Sequence, residues 1–307
     1  MNSPRPLIAS SLAALVLAQC SPTRPASDAS LDVFDNDAPA SDSAPAADTA
    51  TPDAEPTDSG VWSPPAQCAT ATEWRGDASA DGGDASADAG ATTASVSGHA
   101  FDFSLGGGRI EGAYVTILED PTRCVRTGRD GFFRFDGLTV GADVTLAMHD
   151  PRFPLIHTGT HTVPAEGIER LTFQAPTHRM YRLLATAVAI TPRATRCQIA
   201  ATVTEIGRSI YTTDWPSHGE AGATVTLTPA RAMVDGPVYF QYYESGIIPE
   251  RQLTETSRDG GVLFLNVEPG EYVLSASKAG VRFRSVRVRC IAGALVNASP
   301  PWSIQAY

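Results

Sequence analysis

The feature that most constrains the fold of this chain is a regular succession of short β-type segments. It begins near residue 94 and continues to the C-terminal end. Runs rich in Val, Thr, Phe and Tyr, such as Val96–Phe101, alternate with Gly, Asp and Pro at intervals of roughly ten residues. Within the next run, Ala113, Val115 and Ile117 fall on one face of a strand. Many short strands separated by turn residues at this spacing predict an all-β sandwich or barrel.

The same order of segments occurs twice, which indicates an internal duplication. The second of the three matching blocks carries Asp-Gly, which supplies the positive φ that a hairpin turn needs. The matching pairs are Gly112–Ile117 with Gly222–Leu227, Thr127–Phe135 with Thr256–Phe264, and Gly137–Thr145 with Asn266–Leu274.

These blocks together, G-A-x-V-x-[IL], T-x-x-D-G-x-F-x-F and P-G-x-Y-x-[VL], resemble the carboxypeptidase regulatory-like domain. The resemblance covers most of 94–175 and 197–300 and implies a transthyretin-like (prealbumin-like) β-sandwich for each copy. It specifies the fold and leaves the function open, because such domains accompany many unrelated activities. We therefore predict two tandem transthyretin-like sandwiches, over 93–176 and 194–307.

The segment between the two sandwiches, 177–193, is predicted to contain a short helix. Met180–Ile190 lacks turn residues, and its apolar residues recur at helical spacing. Pro192 would stop the helix. A strand is the alternative for so short an apolar run.

The N-terminal end predicts a signal peptide over residues 1–19. Arg5 precedes the apolar run Leu7–Ala18, which is too short to span a bilayer. Leu17-Ala18-Gln19-Cys20 resembles the lipobox of bacterial lipoproteins, which implies cleavage before Cys20 and a lipid on its sulfur. Gln19 departs from the small residue usual at that place, so an ordinary cleaved signal is the alternative.

Residues 20–92 are predicted to form a disordered linker rich in Ala, Asp, Ser and Pro. From Ser21 to Thr92 there are 14 acidic and 2 basic residues, whereas from Thr93 to Tyr307 there are 20 of each. A segment with so few large apolar side chains cannot offset the entropy lost on ordering, and its charges keep it extended. The neutral remainder contains no basic cluster, which argues against a nucleic-acid partner.

Lipidation of Cys20 would leave four cysteines, enough for two disulfides with three connectivities. A Cys197–Cys290 bond would close most of the second sandwich and contribute on the order of 4 kcal/mol by the chain-entropy argument. Cys68 with Cys124 then follows by elimination.

Candidate chemistry in the sequence is sparse, and we expect a non-catalytic protein with no cofactor. There is no G-x-S-x-G and no His-x-His, the motif by which the transthyretin-like intradiol dioxygenases hold iron. A weak metal-site hypothesis remains: His157 and His161, four apart on a strand, would share a face and reach one metal with His149 or Asp150. Exposed sheet or loop positions are the alternative.

The segment around Tyr239, Tyr242 and Tyr243, with Trp215 on a predicted loop, could stack on a sugar ring, although aromatics at strand spacing are usually core. The sequence thus predicts structural or adhesive display at the cell surface, with a glycan or another envelope protein as the partner. Glycan binding is the main alternative function, and a metal-dependent activity is the weaker one. Ser21 in place of Asp favours the outer membrane.

Overall fold

The computed structural model describes residues 63–69, 71, 92–103, 108–211, 218–231, 234–243 and 246–307. The predicted signal peptide, the lipidation site Cys20 and most of the acidic linker lie outside the described residues. Within the part of the chain that is described, no helix is long and apolar enough to cross a membrane.

The first sandwich has a three-stranded sheet of order β4-β1-β9 that faces strands of order β3-β2-β6-β7, while β5 pairs with β8. Side chains between the layers, including Val96, Phe133 and Leu171, form its buried core. The strands are β1 (Thr93–Asp102), β2 (Tyr114–Ile117), β3 (Cys124–Arg126), β4 (Phe132–Thr139), β5 (Asp143–Val144), β6 (Leu146–His149), β7 (Ile156–Thr158), β8 (His161–Thr162) and β9 (Phe173–Ala175).

The second sandwich has strands of order β13-β12-β14-β10-β17 on one side and β11-β15-β16 on the other, and β18 pairs with β10. A second core between these layers includes Ile199, Phe264 and Leu274. The strands are β10 (Cys197–Thr204), β11 (Thr224–Thr228), β12 (Asp235–Tyr243), β13 (Gly246–Glu250), β14 (Gly261–Val267), β15 (Gly270–Ser277), β16 (Val286–Cys290), β17 (Leu295–Asn297) and β18 (Ile304–Gln305). The predicted fold class, two tandem β-sandwiches with a short connecting helix, is confirmed.

Two disulfides tie these elements together. Cys197 begins β10 and is bonded to Cys290 at the end of β16, so this bond joins the two sheets of the second sandwich. Cys68 lies in a short 3-10 turn (Ala66–Cys68) and is bonded to Cys124 at the start of β3. The second bond therefore attaches the end of the predicted linker to the first sandwich.

A buried threonine fixes the same turn in each sandwich. The hydroxyl of Thr127 accepts from the Ala113 amide at 2.9 Å and donates to the Ile110 carbonyl at 2.6 Å. The hydroxyl of Thr256 likewise accepts from the Ala223 amide at 2.9 Å and donates to a main-chain carbonyl at 2.5 Å. Equivalent hydrogen bonds at equivalent positions of the repeat support the internal duplication.

The two Asp-Gly turns show the positive φ that the sequence predicts. Gly131 has φ +74° and Gly260 has φ +77°. A Cβ at Gly260 would lie 2.1 Å from the carbonyl oxygen of Val203, so the turn also needs glycine for its close approach to β10.

We expect Gly260→Ala to destabilise the protein by about 1–3 kcal/mol more than Gly280→Ala. Gly280 has nearly the same φ, +76°, but a Cβ there would have no atom within 4 Å. Both variants carry the cost of a left-handed alanine, and Gly260→Ala adds a clash with backbone. Urea unfolding of the two variants measures the difference, and equal losses would contradict it.

The two sandwiches share one continuous sheet, which the sequence did not predict. β7 of the first pairs in parallel with β17 of the second, with Ile156 opposite Leu295 and Thr158 opposite Asn297. The result, in the described part of the chain, is a ten-stranded sheet that runs from β13 to β3. The junction between the sandwiches is therefore made by main-chain hydrogen bonds.

The predicted helix over Met180–Ile190 forms as α1 (His178–Ala187), with both ends a few residues earlier than predicted. The hydroxyl of Thr177 caps the start by accepting from the Met180 amide at 3.2 Å. Ala189 has φ +53°, which is incompatible with continuing the helix and ends it before Pro192.

The end of α1 is held against the second sandwich. Val188 packs in a small buried cluster with Val238 and Leu265. Arg251 donates to the Val188 carbonyl at 2.7 Å and forms a two-bond ion pair with Asp235 at 2.7 and 2.9 Å. The residue that follows α1 thus packs against β12 and β14, and a cleft lies beside the helix.

Candidate functional site

A cleft of about 210 Å³ lies where the first sandwich, α1 and the second sandwich meet. The end of β1 contributes Phe101 and Asp102, α1 contributes Leu184, and β14 contributes Leu263. Most of the lining is apolar. Ligand pockets commonly lie at interfaces between domains and combine apolar walls with a few polar groups. This cleft is therefore the candidate functional site.

Asp259 is the buried acidic group of the cleft, and it is 7% exposed. Burial raises the pKa of its carboxyl to about 6, although the hydrogen bond from the Gly261 amide to Oδ2, at 3.0 Å, lowers it in part. At neutral pH the group is mostly ionised. The protein therefore keeps a charge in a place where burial disfavours it.

Two glycines allow this carboxylate to fit. Gly260 makes the turn, and Gly261 leaves room for the side chain of Asp259. A Cβ on Gly261 would lie 2.4 Å from Asp259 Oδ2 and 2.7 Å from the ring of Phe240. Gly261, which stands where the first repeat has Phe132, is thus what admits the carboxylate beside the aromatic ring.

Asp102 supplies a second carboxylate from the other side of the cleft. It ends β1, where its amide donates to the Gly108 carbonyl at 2.8 Å. Its Oδ1 is buried and has no hydrogen-bond partner among the described residues. A buried acceptor without a partner is costly, and this one belongs to a residue that lines the cleft.

Most of the remaining polar side chains of the cleft already form hydrogen bonds within the protein. Tyr181, whose pKa is raised by burial to about 12, stays neutral. None of the described residues that line the cleft is a lysine or an arginine. The amide side chains and the hydroxyls of Thr202 and Ser299 have partners within the protein: Gln174 with Asn297 at 3.3 Å, Thr202 with Ser299 at 3.0 Å, and Gln198 with Asn266 at 2.8 Å.

The three histidines of the metal-site hypothesis do not share a strand face. His157 lies in β7, which pairs within the continuous sheet and ends at Thr158. His161 lies in the next strand, β8, which pairs with β5. His149 is hydrogen-bonded to Thr116 at 3.0 Å, and Asp150 is paired with Arg152 at 2.7 Å. The residues that the structure describes include no group of three metal-ligating side chains that could hold an ion.

His157 and His161 are instead buried at the junction of the sandwiches. They are 1% and 9% exposed. Neither ring nitrogen of His157 has a partner of good hydrogen-bonding geometry among the described residues, and the same holds for Nε2 of His161. Burial lowers the pKa of each to about 4, with the backbone of Arg289 raising that of His157 in part and the backbone of Pro300 that of His161. Both side chains are therefore neutral near pH 7.

The three tyrosines of the sugar-stacking hypothesis that the structure describes do not form one platform. Tyr239 is 1% exposed and accepts from the Val225 amide at 2.9 Å, so its ring belongs to the core. Tyr242 and Tyr243 are adjacent on β12 and point to opposite faces of the sheet. Tyr243 is 41% exposed and donates to Glu250. Trp215 lies outside the described residues.

The sequence did not predict the cleft or its two carboxylates. Asp259 follows the same Arg-Asp-Gly pattern as Asp130, which is exposed in the first sandwich. The only signal in the sequence was Gly261, which stands where the first repeat has Phe132. It could not be interpreted before the partners of the turn were known.

No family model and no curated protein matches this chain. Membership of the carboxypeptidase regulatory-like family therefore stays a prediction.

Among solved structures, the chain is similar to the TIE protein of Bacillus anthracis at 12% identity and a TM-score of 0.22, covering 67% of this chain and 34% of that one. The minor pilin of Streptococcus agalactiae matches at 12% identity and a TM-score of 0.22, covering 69% and 95%. Two B repeat units of the Staphylococcus aureus collagen-binding protein match at 11% and 0.20, covering 66% and 48%. This chain thus spans about a third of the TIE protein, and scores this low carry no argument about function.

Proposed function

We propose that this chain is a non-catalytic display or binding protein of the bacterial cell envelope, anchored through a lipid on Cys20. The acidic linker would hold the two sandwiches away from the membrane, because its charges repel one another and extend it. The observation that supports this proposal is the continuous sheet through both sandwiches. A continuous sheet would join the two displayed sandwiches into one stiff unit.

The stiffness of the junction comes mainly from its backbone. Three residue pairs join β7 to β17, and the amide of Thr160 also donates to the Arg287 carbonyl at 2.8 Å. Arg287 also binds the carboxylate of Asp143 with two hydrogen bonds, at 2.6 and 2.5 Å. Because that ion pair is nearly half exposed, it adds little to stability, and the main-chain pairing matters more.

The candidate catalytic groups do not favour an enzyme. His149, His157 and His161 are spread over β6, β7 and β8, and two of them are buried. The two carboxylates of the cleft lie among apolar side chains. Glycan binding stays the alternative prediction, and it depends on Trp215 and on the exposed ring of Tyr243.

The anchor is tested by expressing the full chain and its Cys20→Ser variant in a Gram-negative host grown with radiolabelled palmitate. We expect label on the parent chain, which sediments with the outer membrane. Cys20→Ser should carry no label and appear in the soluble fraction, because only a cysteine sulfur can receive the lipid.

Ser21→Asp is the matched control, because it keeps the lipid and changes only the residue predicted to direct sorting. It should remain labelled and move to the inner membrane. Equal labelling of the parent and Cys20→Ser would overturn the anchor, and an unlabelled parent released into the medium would indicate an ordinary signal peptide.

A further inference from the structure

We propose that the cleft between α1 and the two sandwiches binds a small apolar ligand that carries one protonated amine. This inference goes beyond display at the cell surface. It does not depend on the anchor, because every residue that carries it lies between Phe101 and Ser299.

The size and walls of the cleft define the apolar part of the ligand. Its volume, about 210 Å³, lies below the roughly 300–1,000 Å³ of pockets for drug-sized molecules. Leu184 of α1, Ile247 of β13 and Leu263 of β14 are among the side chains that line it. A short hydrocarbon group would therefore be the part of the ligand that these walls bury.

The charges of the cleft define the polar part. Among the described residues that line the cleft, Asp102 and Asp259 are the carboxylic acids, and there is no lysine or arginine. The amide side chains and the hydroxyls of Thr202 and Ser299 already have protein partners. Oδ1 of Asp102 is a buried acceptor without a partner among the residues that the structure describes. A ligand that donates hydrogen bonds and carries positive charge would complete this set.

Comparison of the two repeats shows that the Asp-Gly turn does not require a buried aspartate. Asp130 accepts from the Phe132 amide at 3.0 Å, as Asp259 accepts from the Gly261 amide at 3.0 Å. The turn is thus made equally well with an exposed aspartate. Only in the second sandwich is the carboxylate placed in an apolar cleft, where burial raises its pKa to about 6. A bound cation would offset the cost of that charge.

The test uses the exported chain carrying Cys20→Ser, which can be purified without detergent. The probes are hexylamine, 1-hexanol and hexanoate, titrated calorimetrically at pH 7.5. They share one hydrocarbon group and carry a positive, a neutral and a negative head. We expect hexylamine to bind with a Kd of about 1 mM or tighter and at least about tenfold better than 1-hexanol. Hexanoate should not bind.

Two variants and one matched control locate the site. Asp259→Asn and Asp102→Asn should each weaken hexylamine binding by about tenfold and leave 1-hexanol unchanged, because each removes a charge of the cleft. Asp130→Asn makes the same change at the equivalent turn outside the cleft and should leave hexylamine binding unchanged. Binding of all three probes with equal affinity, or no loss in either cleft variant, would overturn the proposal.

Thermal unfolding separates a binding role from a structural one. Asp259→Asn should raise the Tm of the free protein at pH 7.5, because the amide keeps an acceptor for Gly261 and removes the buried charge. A lower Tm with unchanged hexylamine affinity would identify Asp259 as a structural turn residue and would also overturn the proposal. If Asp259→Asn does not fold, the Asp102→Asn titration decides.

Discussion

Removal of the Cys197–Cys290 disulfide is expected to lower the free energy of unfolding by about 4 kcal/mol. The bond joins residues 93 apart in sequence, so it removes much of the conformational freedom of the unfolded second half of the chain. It also connects β10 in the continuous sheet with β16 in the facing sheet. Its loss would therefore affect both layers of the second core.

The variant is Cys197→Ala with Cys290→Ala, compared with the parent by urea unfolding followed by circular dichroism. The comparison is Cys68→Ala with Cys124→Ala, which opens a loop of sequence separation 56. Much of that loop belongs to the linker that the sequence predicts to be disordered. Folding therefore restricts the conformational freedom of this loop less than that of the loop closed by Cys197–Cys290. We expect the free energy of unfolding to fall clearly less in the comparison variant. Equal falls in the two variants would contradict this prediction.

The second large effect is acid destabilisation through His157 and His161. Both have pKa values of about 4 in the folded chain, chiefly because of burial, against an ordinary value of 6.5. The electrostatic neighbours that also lower these values are His149 and Arg289 for His157 and Arg287 for His161. Between pH 6.5 and 4 the unfolded chain binds protons that the folded chain does not. The free energy of unfolding therefore falls as the pH falls through this window, by about 3 kcal/mol for each histidine, and levels off below it.

His157→Phe tests this effect, because phenylalanine has a similar ring and does not titrate. Between pH 7 and pH 4 the variant should lose about 3 kcal/mol less than the parent, as measured by urea unfolding at both values. At pH 7 it should be close to the parent or more stable, since the buried ring nitrogens of His157 lack good partners. His157→Leu serves the same purpose if the phenylalanine does not fit.

Two comparisons make the acid result specific. Asp259 titrates in the opposite sense, because its raised pKa makes the folded chain bind its proton first as the pH falls. It is present in parent and variant alike and cancels in their difference. His178→Asn, at an exposed position at the start of α1, is the control for the general effect of replacing a histidine. Equal losses between pH 7 and pH 4 in the parent and His157→Phe would refute the role of His157.

Several features were predictable because they depend on local chemistry. The alternation around Val115 and the glycine at position 131 act within a strand and a turn, and each formed as predicted. The helix was predictable from its apolar spacing, whereas its ends were set by the cap at Thr177 and the left-handed Ala189. The sugar-stacking hypothesis failed at Tyr239, since strand spacing gives the same pattern to a core ring and an exposed one.

The sequence by itself determined the repeated sandwiches, the connecting helix and the turns, since periodicity and turn residues act over a few neighbours. The tertiary structure alone decided which strand edges meet. β3 pairs with β2 in the first sandwich, whereas β12 pairs with β13 and β14 in the second, and β7 joins β17 across the repeat. It also decided that Asp130 is exposed while Asp259 is buried, although both stand in Arg-Asp-Gly. Burial depends on what packs over a turn, and those residues are distant in sequence.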